Sequence, residues 1–556
     1  MSFVNGLHFN NVRGDIYGGL TAAVVALPLA LAMGVASGAG PIAGIYGAIF
    51  VGFFAAIFGG TPAQVSGPTG PMTVVMALIF TQYTALFPGD PETGAALAFT
   101  VVMMGGLFQI LFGFLKVGKF IEFVPHPVVS GFMSGIGVII ILIQIGPLLG
   151  HASSAKPLEA VQSMPEFFNN IHGASLTLAL IALVIVYGVP KFIPKLNKLV
   201  PSPLLALVAG TFAYIFIYPN SGSPILGAIP TGFPQAQLPT IILQYLPDMI
   251  KSALILAALG SIDSLLTSLV ADNVTRTYHK SDRELIGQGI GNTISGLFGG
   301  LPGAGATMRT VVNVKAGGLT PISGALHAVI LLMIVLGADE LASTIPKAVL
   351  AGILVKVGTD IIDWDYLKRL GTAPKAGIAI MMTVLLMTVF IDLIIAVATG
   401  MVMASMIFMK RMSDLQMENT IAIDSPVEEL PLNVEEKDIL QNADGKILLY
   451  HMEGPLSFGA AKGMVRRLAQ FNDFQVLVID LSAVPMIDFT AAMALQDMIR
   501  NTLDSKGGKV ILVGMRAKVQ EFLKTQQILK RLDEKFIHTD RLSALNYAKK
   551  IITERK

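Results

Sequence analysis

Residues Phe58–Val75 read FGGTPAQVSGPTGPMTVV, and residues Phe298–Val312 read FGGLPGAGATMRTVV. Both open on Phe-Gly-Gly-x-Pro, pass through glycine and proline, and end in Thr-Val-Val. Each interrupts an apolar run, and the two lie in different halves of one long hydrophobic region. A pair of interrupted apolar segments at matching places in two halves is the sequence signature of a transporter binding site. A helix that starts inside the membrane presents unpaired backbone N–H groups to the midplane. Two such helix starts, facing one another, create a positive region where an anion binds without a cationic side chain. Pro68 and Pro71 suit a first helical turn, where a missing N–H costs little. Gly67, Gly70, Gly303 and Gly305 let the backbone approach a ligand, and Thr69 and Thr307 add hydroxyl donors. The competing interpretation is that glycine and proline here only pack helices together, since both are frequent in membrane spans.

Composition agrees with a membrane protein. Of 556 residues, 53% are hydrophobic and 14% charged, against about 25% charged in a soluble domain. Apolar runs of spanning length recur as far as Phe408, giving roughly fourteen segments, two of them short or broken by Gly and Pro. Beyond Lys410 the chain becomes charged and mixed. The expected layout is a membrane domain over 1–412, a linker over 413–440 and a soluble domain over 441–556. The absence of cysteine excludes disulfides and thiolate metal sites, and the eight histidines are dispersed. A net charge of +2 with scattered cations offers no surface for nucleic acid.

Loop charges set the orientation. Arg13, Lys116, Lys119, Lys191, Lys195, Lys198, Arg276, Lys280, Arg283, Lys315, Lys368, Arg369, Lys375, Lys410 and Arg411 fall in alternate loops. The other loops hold almost none: TALFPGDPETGAA is acidic, and Asn220–Pro247 lacks Lys and Arg. The positive-inside rule then predicts a multi-pass inner (plasma) membrane protein with both termini and the soluble domain in the cytoplasm.

The segment KSALILAALGSIDSLLTSLVADNV, from Lys251, places Asp263 about three turns into an apolar helix. A carboxylate at that depth costs about 2.5–3.5 kcal/mol or more and is a functional candidate by default. Thr267 follows four residues later, on the same face. With backbone carbonyls around Gly305–Thr307 these groups form a set of hard oxygens that suits Na⁺. A cation there would cancel the carboxylate charge and leave the helix starts free to attract an anion, so each ligand would raise the other's affinity. Arg309 lies just inside the second interrupted segment, where it either attracts the anion or extends to the cytoplasmic surface.

Three motifs carry a family resemblance: GLTAAVVALPLALAMGVASG from Gly19, FVPHPVVSGFMSGIG from Phe123, and SDRELIGQGIGNTISGLFGGLPGAGA from Ser281. They resemble the sulfate permease (SulP) family of anion transporters over nearly the whole chain. The resemblance implies a seven-plus-seven inverted repeat, a core domain moving against a gate domain, and a substrate site between the third and tenth spans. Within the family, LHFNNVRGDIYGGLTAAVVALP, PTGPMTVVM and GLPGAGATMRTVVNVKAGG resemble the cyanobacterial sodium-dependent bicarbonate transporters. That likeness implies Na⁺, co-transported, on Asp263, Thr267, Gly305, Ala306 and Thr307, and bicarbonate on Thr69, Gly70 and the backbone of Ala304, Gly305 and Ala306. Many relatives have Glu where Asp263 stands, and the shorter side chain beside Thr267 fits the sodium-coupled type.

The soluble region contains KILLYHMEGPLSFG, FQVLVIDLSAVPMIDFTAAMAL and KVILVGM, short β-branched strands between helical stretches. It resembles a STAS domain, which implies regulation or help in forming a homodimer. Thr490 occupies the position phosphorylated in bacterial anti-sigma antagonists, although the usual Ser-Gly pair is missing. Gly507-Gly508-Lys509 lacks P-loop spacing. The functional expectation is Na⁺-coupled bicarbonate symport into the cytoplasm. The alternatives are proton-coupled sulfate or dicarboxylate symport on the same fold, an uncoupled anion channel, and a membrane sensor. No nucleophile–base pair points to an enzyme.

Overall fold

The computed structural model describes residues 4–554 apart from 122–123, 155, 220, 228–233, 338–342, 392, 426–429, 472 and 506. The chain divides into two units, Met1–Met401 and Val402–Lys556.

The first unit is helical. Among the described residues of the chain, seven helices are long and apolar enough to cross a membrane, from Val12–Ala36 to the stretch Ile395–Glu418, which runs across the division between the units. Four shorter apolar helices accompany them: Gly70–Leu86, Ser202–Ile217, Pro321–Leu336 and Lys375–Phe390. Proline repeatedly marks helix starts, as at Pro41, Pro71, Pro91 and Pro127, because its fixed φ suits the first turn and its missing N–H would be unpaired there anyway.

In lipid, helices associate by close packing rather than by burying apolar surface from water, so small residues dominate the contacts. Helices Pro91–Phe114 and Ser281–Leu297 meet this way. A Cβ added to Gly106 would lie 2.4 Å from the Thr293 nitrogen and 2.5 Å from the Gly289 oxygen. The first helix, Val12–Ala36, approaches the chain just after the second interruption as closely: a Cβ on Gly18 would lie 2.7 Å from the Gly318 Cα.

The two interrupted segments become two very short strands, β1 (Ser66–Gly67) and β2 (Ala304–Gly305). They pair antiparallel, Ser66 opposite Gly305 and Gly67 opposite Ala304. Each runs directly toward a helix: Gly70–Leu86 after β1 and Thr307–Lys315 after β2.

The second unit contains a five-stranded sheet: β3 (Ile421–Ile423), β4 (Ile447–Glu453), β5 (Val476–Ala483), β6 (Lys509–Val513) and β7 (Ile537–His538), ordered as numbered. β3 is antiparallel to β4, and the remaining pairs are parallel. Helices cover both faces, so the central strands are apolar on both sides, as parallel sheets require. Helices Phe458–Leu468, Phe489–Arg500 and Ala517–Thr525 pack on one face through Met464, Leu495 and Leu523. Val434–Asn442 and Arg541–Glu554 pack on the other through Ile439, Leu440 and Leu545. The segment 413–440, read from sequence as a linker, supplies β3 and the start of helix Val434–Asn442.

Candidate functional site

The site grows outward from the β1–β2 pair. Ala306 donates its backbone N–H to Val65 at 2.9 Å, extending that pair by one more bond. Helix Gly70–Leu86 has Thr69 as its N-cap and helix Thr307–Lys315 has Ala306, and in neither case does the capping side chain accept from the helix. The first-turn N–H groups at both starts are therefore left without a side-chain cap, close together inside the unit.

The Thr69 hydroxyl turns instead to the carboxylate, donating to Asp263 Oδ2 at 2.7 Å. Asp263 and Thr69 are 6% and 8% exposed, so this bond is shielded from water. One turn along the same helix, Leu246–Thr275, the Thr267 hydroxyl donates to the Gly305 carbonyl at 2.9 Å and lies 2.7 Å from the Thr307 hydroxyl. Ser264 Oγ accepts from the Gly305 N–H at 3.1 Å. Five of the residues singled out from sequence, Thr69, Asp263, Thr267, Gly305 and Thr307, are thus linked by direct hydrogen bonds in two clusters on one helix face. Gly70, Ala304 and Ala306 stand beside them in the backbone of the same segments.

Arg309 does not extend to the surface. It is 2% exposed, and its Nη2 donates to the Pro68 carbonyl across the two halves, while Nη1 has no hydrogen-bond partner among the described residues. It ties the second interrupted segment to the first. Thr490 lies in the other unit, exposed in the first turn of helix Phe489–Arg500. There Asp488 already caps the helix, accepting from the Ala491 N–H at 2.8 Å.

Sequence reasoning missed the groups that hold the two segments in place. Glu284 accepts from the N–H groups of Gly60 (2.8 Å) and Thr61 (2.9 Å), and from the amides of Gln64 and Gln288 (both 2.8 Å). Gln288 also donates to Ser66 Oγ at 2.6 Å, anchoring β1. Asn292 clamps Gly303 in both directions, donating to its carbonyl at 2.9 Å and accepting from its N–H at 2.7 Å. Glu284, Gln288 and Asn292 are spaced by four on one helix, a polar stripe on a buried face, and that spacing is the signal that would have found them. Asp15 performs the equivalent task after the second half-helix, accepting from the N–H groups of Leu319 (2.8 Å) and Thr320 (2.9 Å).

Two helix starts that follow a shared strand pair, a buried carboxylate and paired hydroxyls thus gather the kinds of donor and acceptor that small ions use. Comparison with known proteins shows the family. The sulfate permease family profile matches residues 12–384, and the STAS domain profile matches 439–539. The chain belongs to the sulfate permease family and carries a C-terminal STAS domain. It is 46% identical to the bicarbonate transporter BicA of Picosynechococcus sp., across 96% of this chain and 94% of that one. It is 45% identical to BicA of Synechocystis sp., across 99% and 96%. A putative sulfate transporter of Bacillus subtilis, YvdB, is 32% identical across 97% and 98%. The solved transmembrane domain of a cyanobacterial BicA superposes with a TM-score of 0.66 at 50% identity, covering 71% of this chain and all of that one. The murine Slc26a9 anion transporter in its inward-facing state superposes with a TM-score of 0.81 at 19% identity, covering 98% and 92%, a likeness of fold. The protein is therefore a membrane anion transporter, not an enzyme.

Proposed function

We propose that this transporter is a secondary active symporter that carries bicarbonate into the cytoplasm together with Na⁺. It would sit in the inner (plasma) membrane with both termini and the STAS domain cytoplasmic, and the STAS domain would assist a homodimer. The observation that carries the reading is the Thr69–Asp263 hydrogen bond beside the Thr267–Gly305–Thr307 cluster. Na⁺ would take oxygens from Asp263, Thr267, Gly305, Ala306 and Thr307. Bicarbonate would take the uncapped first-turn N–H groups of helices Gly70–Leu86 and Thr307–Lys315, beside the Ala304–Ala306 backbone whose Gly305 and Ala306 N–H groups are held by Ser264 and Val65, with Arg309 adding positive potential.

This arrangement supplies a coupling mechanism. In the described structure the Thr69 hydroxyl is committed to the Asp263 carboxylate. A cation on that carboxylate would compete for its lone pairs and cancel its repulsion of an anion. Thr69 would then be free to donate to bicarbonate. Each ion would prepare the site for the other, and linkage makes the effect reciprocal. The similarity to two bicarbonate transporters at 46% and 45% identity supports the choice of substrate.

The test is labelled bicarbonate uptake into liposomes containing the full chain, with and without an inward Na⁺ gradient, and labelled sulfate as competitor. The proposal predicts bicarbonate uptake that requires Na⁺. Sulfate uptake driven by a pH gradient and indifferent to Na⁺ would refute it in favour of the proton-coupled alternative.

A further inference from the structure

A cavity lies away from the β1–β2 pair. It has a volume of about 460 Å³ and is lined by Ala77, Thr81, Gln144, His151, Ser153 and Lys347, among others. None of the residues paired at the central site belongs to it. Ala77 and Thr81 lie on helix Gly70–Leu86, about 10 and 16 Å beyond its start at 1.5 Å per residue. In the proposed orientation the cavity is at the outer end of the helix whose inner end holds the anion.

Its chemistry is that of an anion site. Among the described residues no acidic side chain lines it. Lys347 is a cation in the poorly charged set of loops, and it stands in the first turn of helix Lys347–Ile361. A lysine is misplaced there for helix stability, since the positive end of the dipole repels it and no acid in that turn offsets it. The same placement adds the side-chain charge to the dipole at the cavity. The ammonium has no ion pair among the described residues. Gln144 is only 3% exposed, and its Nε2 has no hydrogen-bond partner among the described residues. A buried amide donor without a partner weakens the fold and marks a place where a ligand or water completes the bonding. His151, stacked on Phe167 at 4.9 Å, also leaves its Nε2 without a hydrogen-bond partner among the described residues.

We infer that this cavity is an outer collecting site for the transported anion, a small oxyanion drawn by Lys347 and hydrogen-bonded by Gln144. Field lines focused into a cleft raise the local concentration of an ion and its rate of entry. An anion held there would be passed inward along helix Gly70–Leu86 when the central site opens to that side. The inference rests on the proposed orientation and on inward anion transport, and not on which anion is carried.

Two measurements test it. In cells producing the full chain, uptake is followed against external bicarbonate for Lys347→Gln, Lys347→Glu, Lys347→Arg and Gln144→Leu. KM should rise about threefold to tenfold in Lys347→Gln and further in Lys347→Glu, with the saturating rate changed much less. Lys347→Arg should restore KM, and raised ionic strength should shrink the difference between wild type and Lys347→Gln. Gln144→Leu should raise KM while leaving the thermal stability of the purified protein equal or higher, because no hydrogen bond is lost. An unchanged KM in Lys347→Glu would overturn the inference, as would a loss of saturating rate alone. Because the chain has no cysteine, Ser153→Cys can be labelled singly with a membrane-impermeant maleimide. External labelling slowed by bicarbonate is expected, and a cysteine reached only from the cytoplasmic side would overturn the placement. If wild type carries sulfate and not bicarbonate, the proposed substrate fails while the same variants are tested with sulfate.

Discussion

Glu284 holds the chain that leads into the first half-helix, and its removal should be among the most damaging single changes in the membrane unit. Its two oxygens accept four hydrogen bonds, from Gly60, Thr61, Gln64 and Gln288, and the residue is 1% exposed. In Glu284→Ala those donors lose their partner, and none can turn to bulk water. At about 1–2 kcal/mol for each buried donor left unsatisfied, the sum is about 4–8 kcal/mol. That is comparable with the whole stability of a typical domain, about 5–15 kcal/mol. Glu284→Gln keeps the shape but turns an NH₂ toward two donors. Gln64 cannot simply flip in response, because its Oε1 accepts from Ser268 at 3.0 Å. The loss there should be about 2–4 kcal/mol. The assay is the melting temperature and monodispersity of the detergent-purified full chain, with anion uptake measured on whatever folds. The order expected is wild type above Gln above Ala, with Ala poorly recovered. Two variants that melt within about a degree of wild type would refute the reasoning.

Further consequences follow from the same geometry. Gly305→Ala would bring a Cβ to 2.4 Å from Gln64 Nε2 and 3.0 Å from Thr267 Cβ, and should raise the Na⁺ concentration needed for half-maximal uptake in the proposed symport at least tenfold, on the order of 1.4 kcal/mol. Gly89→Ala, with nothing within 4 Å, is the control and should transport as wild type. In the STAS domain, Arg541 grips Glu436 at 2.8 and 3.0 Å and reaches Asp480 at 3.4 Å. Breaking this largely buried group with Arg541→Gln should destabilise that unit by about 3 kcal/mol, read as faster proteolysis after Met401. Burial opposes ionisation of Asp480, but hydrogen bonds from His451 and Ser482 outweigh it and hold the carboxyl below its ordinary value. A depressed carboxyl contributes stability that is present above its unfolded pKa and lost as pH falls through the folded one. The contribution of Asp480 to proteolytic resistance of the STAS unit should therefore be constant from neutrality down to the ordinary carboxylate range and fall below it, and Asp480→Asn should shrink the acid-side loss, with the similarly depressed Glu436 carrying part of the remainder.

The helical class, the STAS domain and the pairing of the two interrupted segments were legible because each leaves a local mark. Apolar runs reveal spans, β-branched runs reveal strands, and Phe-Gly-Gly-x-Pro written twice reveals a matched interruption. Asp263 was legible because a charge in an apolar run is costly. The bracing was less so. Glu284, Gln288 and Asn292 sit in a helix that also carries Gly287, Gly289 and Gly291, and their polarity reads as loop-like until the spacing of four is noticed. Asp15 looks like an ordinary first-turn acid, and only tertiary contact reveals that it holds Leu319 and Thr320. Arg309 was ambiguous for a physical reason: its stem is long enough to reach either the surface or the opposite half, and a neighbouring carbonyl at Pro68 decides between them. The segment 413–440 looked like a linker because strand β3 is only three residues long and its partner lies far along the sequence.

The coupling of the two ions is the central claim, and reciprocity tests it most directly. Liposomes containing the full chain, with no Na⁺ gradient, are given an inward bicarbonate gradient, and uptake of labelled Na⁺ is followed for wild type and Asp263→Asn. The account predicts that bicarbonate drives Na⁺ inward in wild type and that the variant moves neither ion. Bicarbonate entering while Na⁺ stays at equilibrium, in wild type, would contradict it.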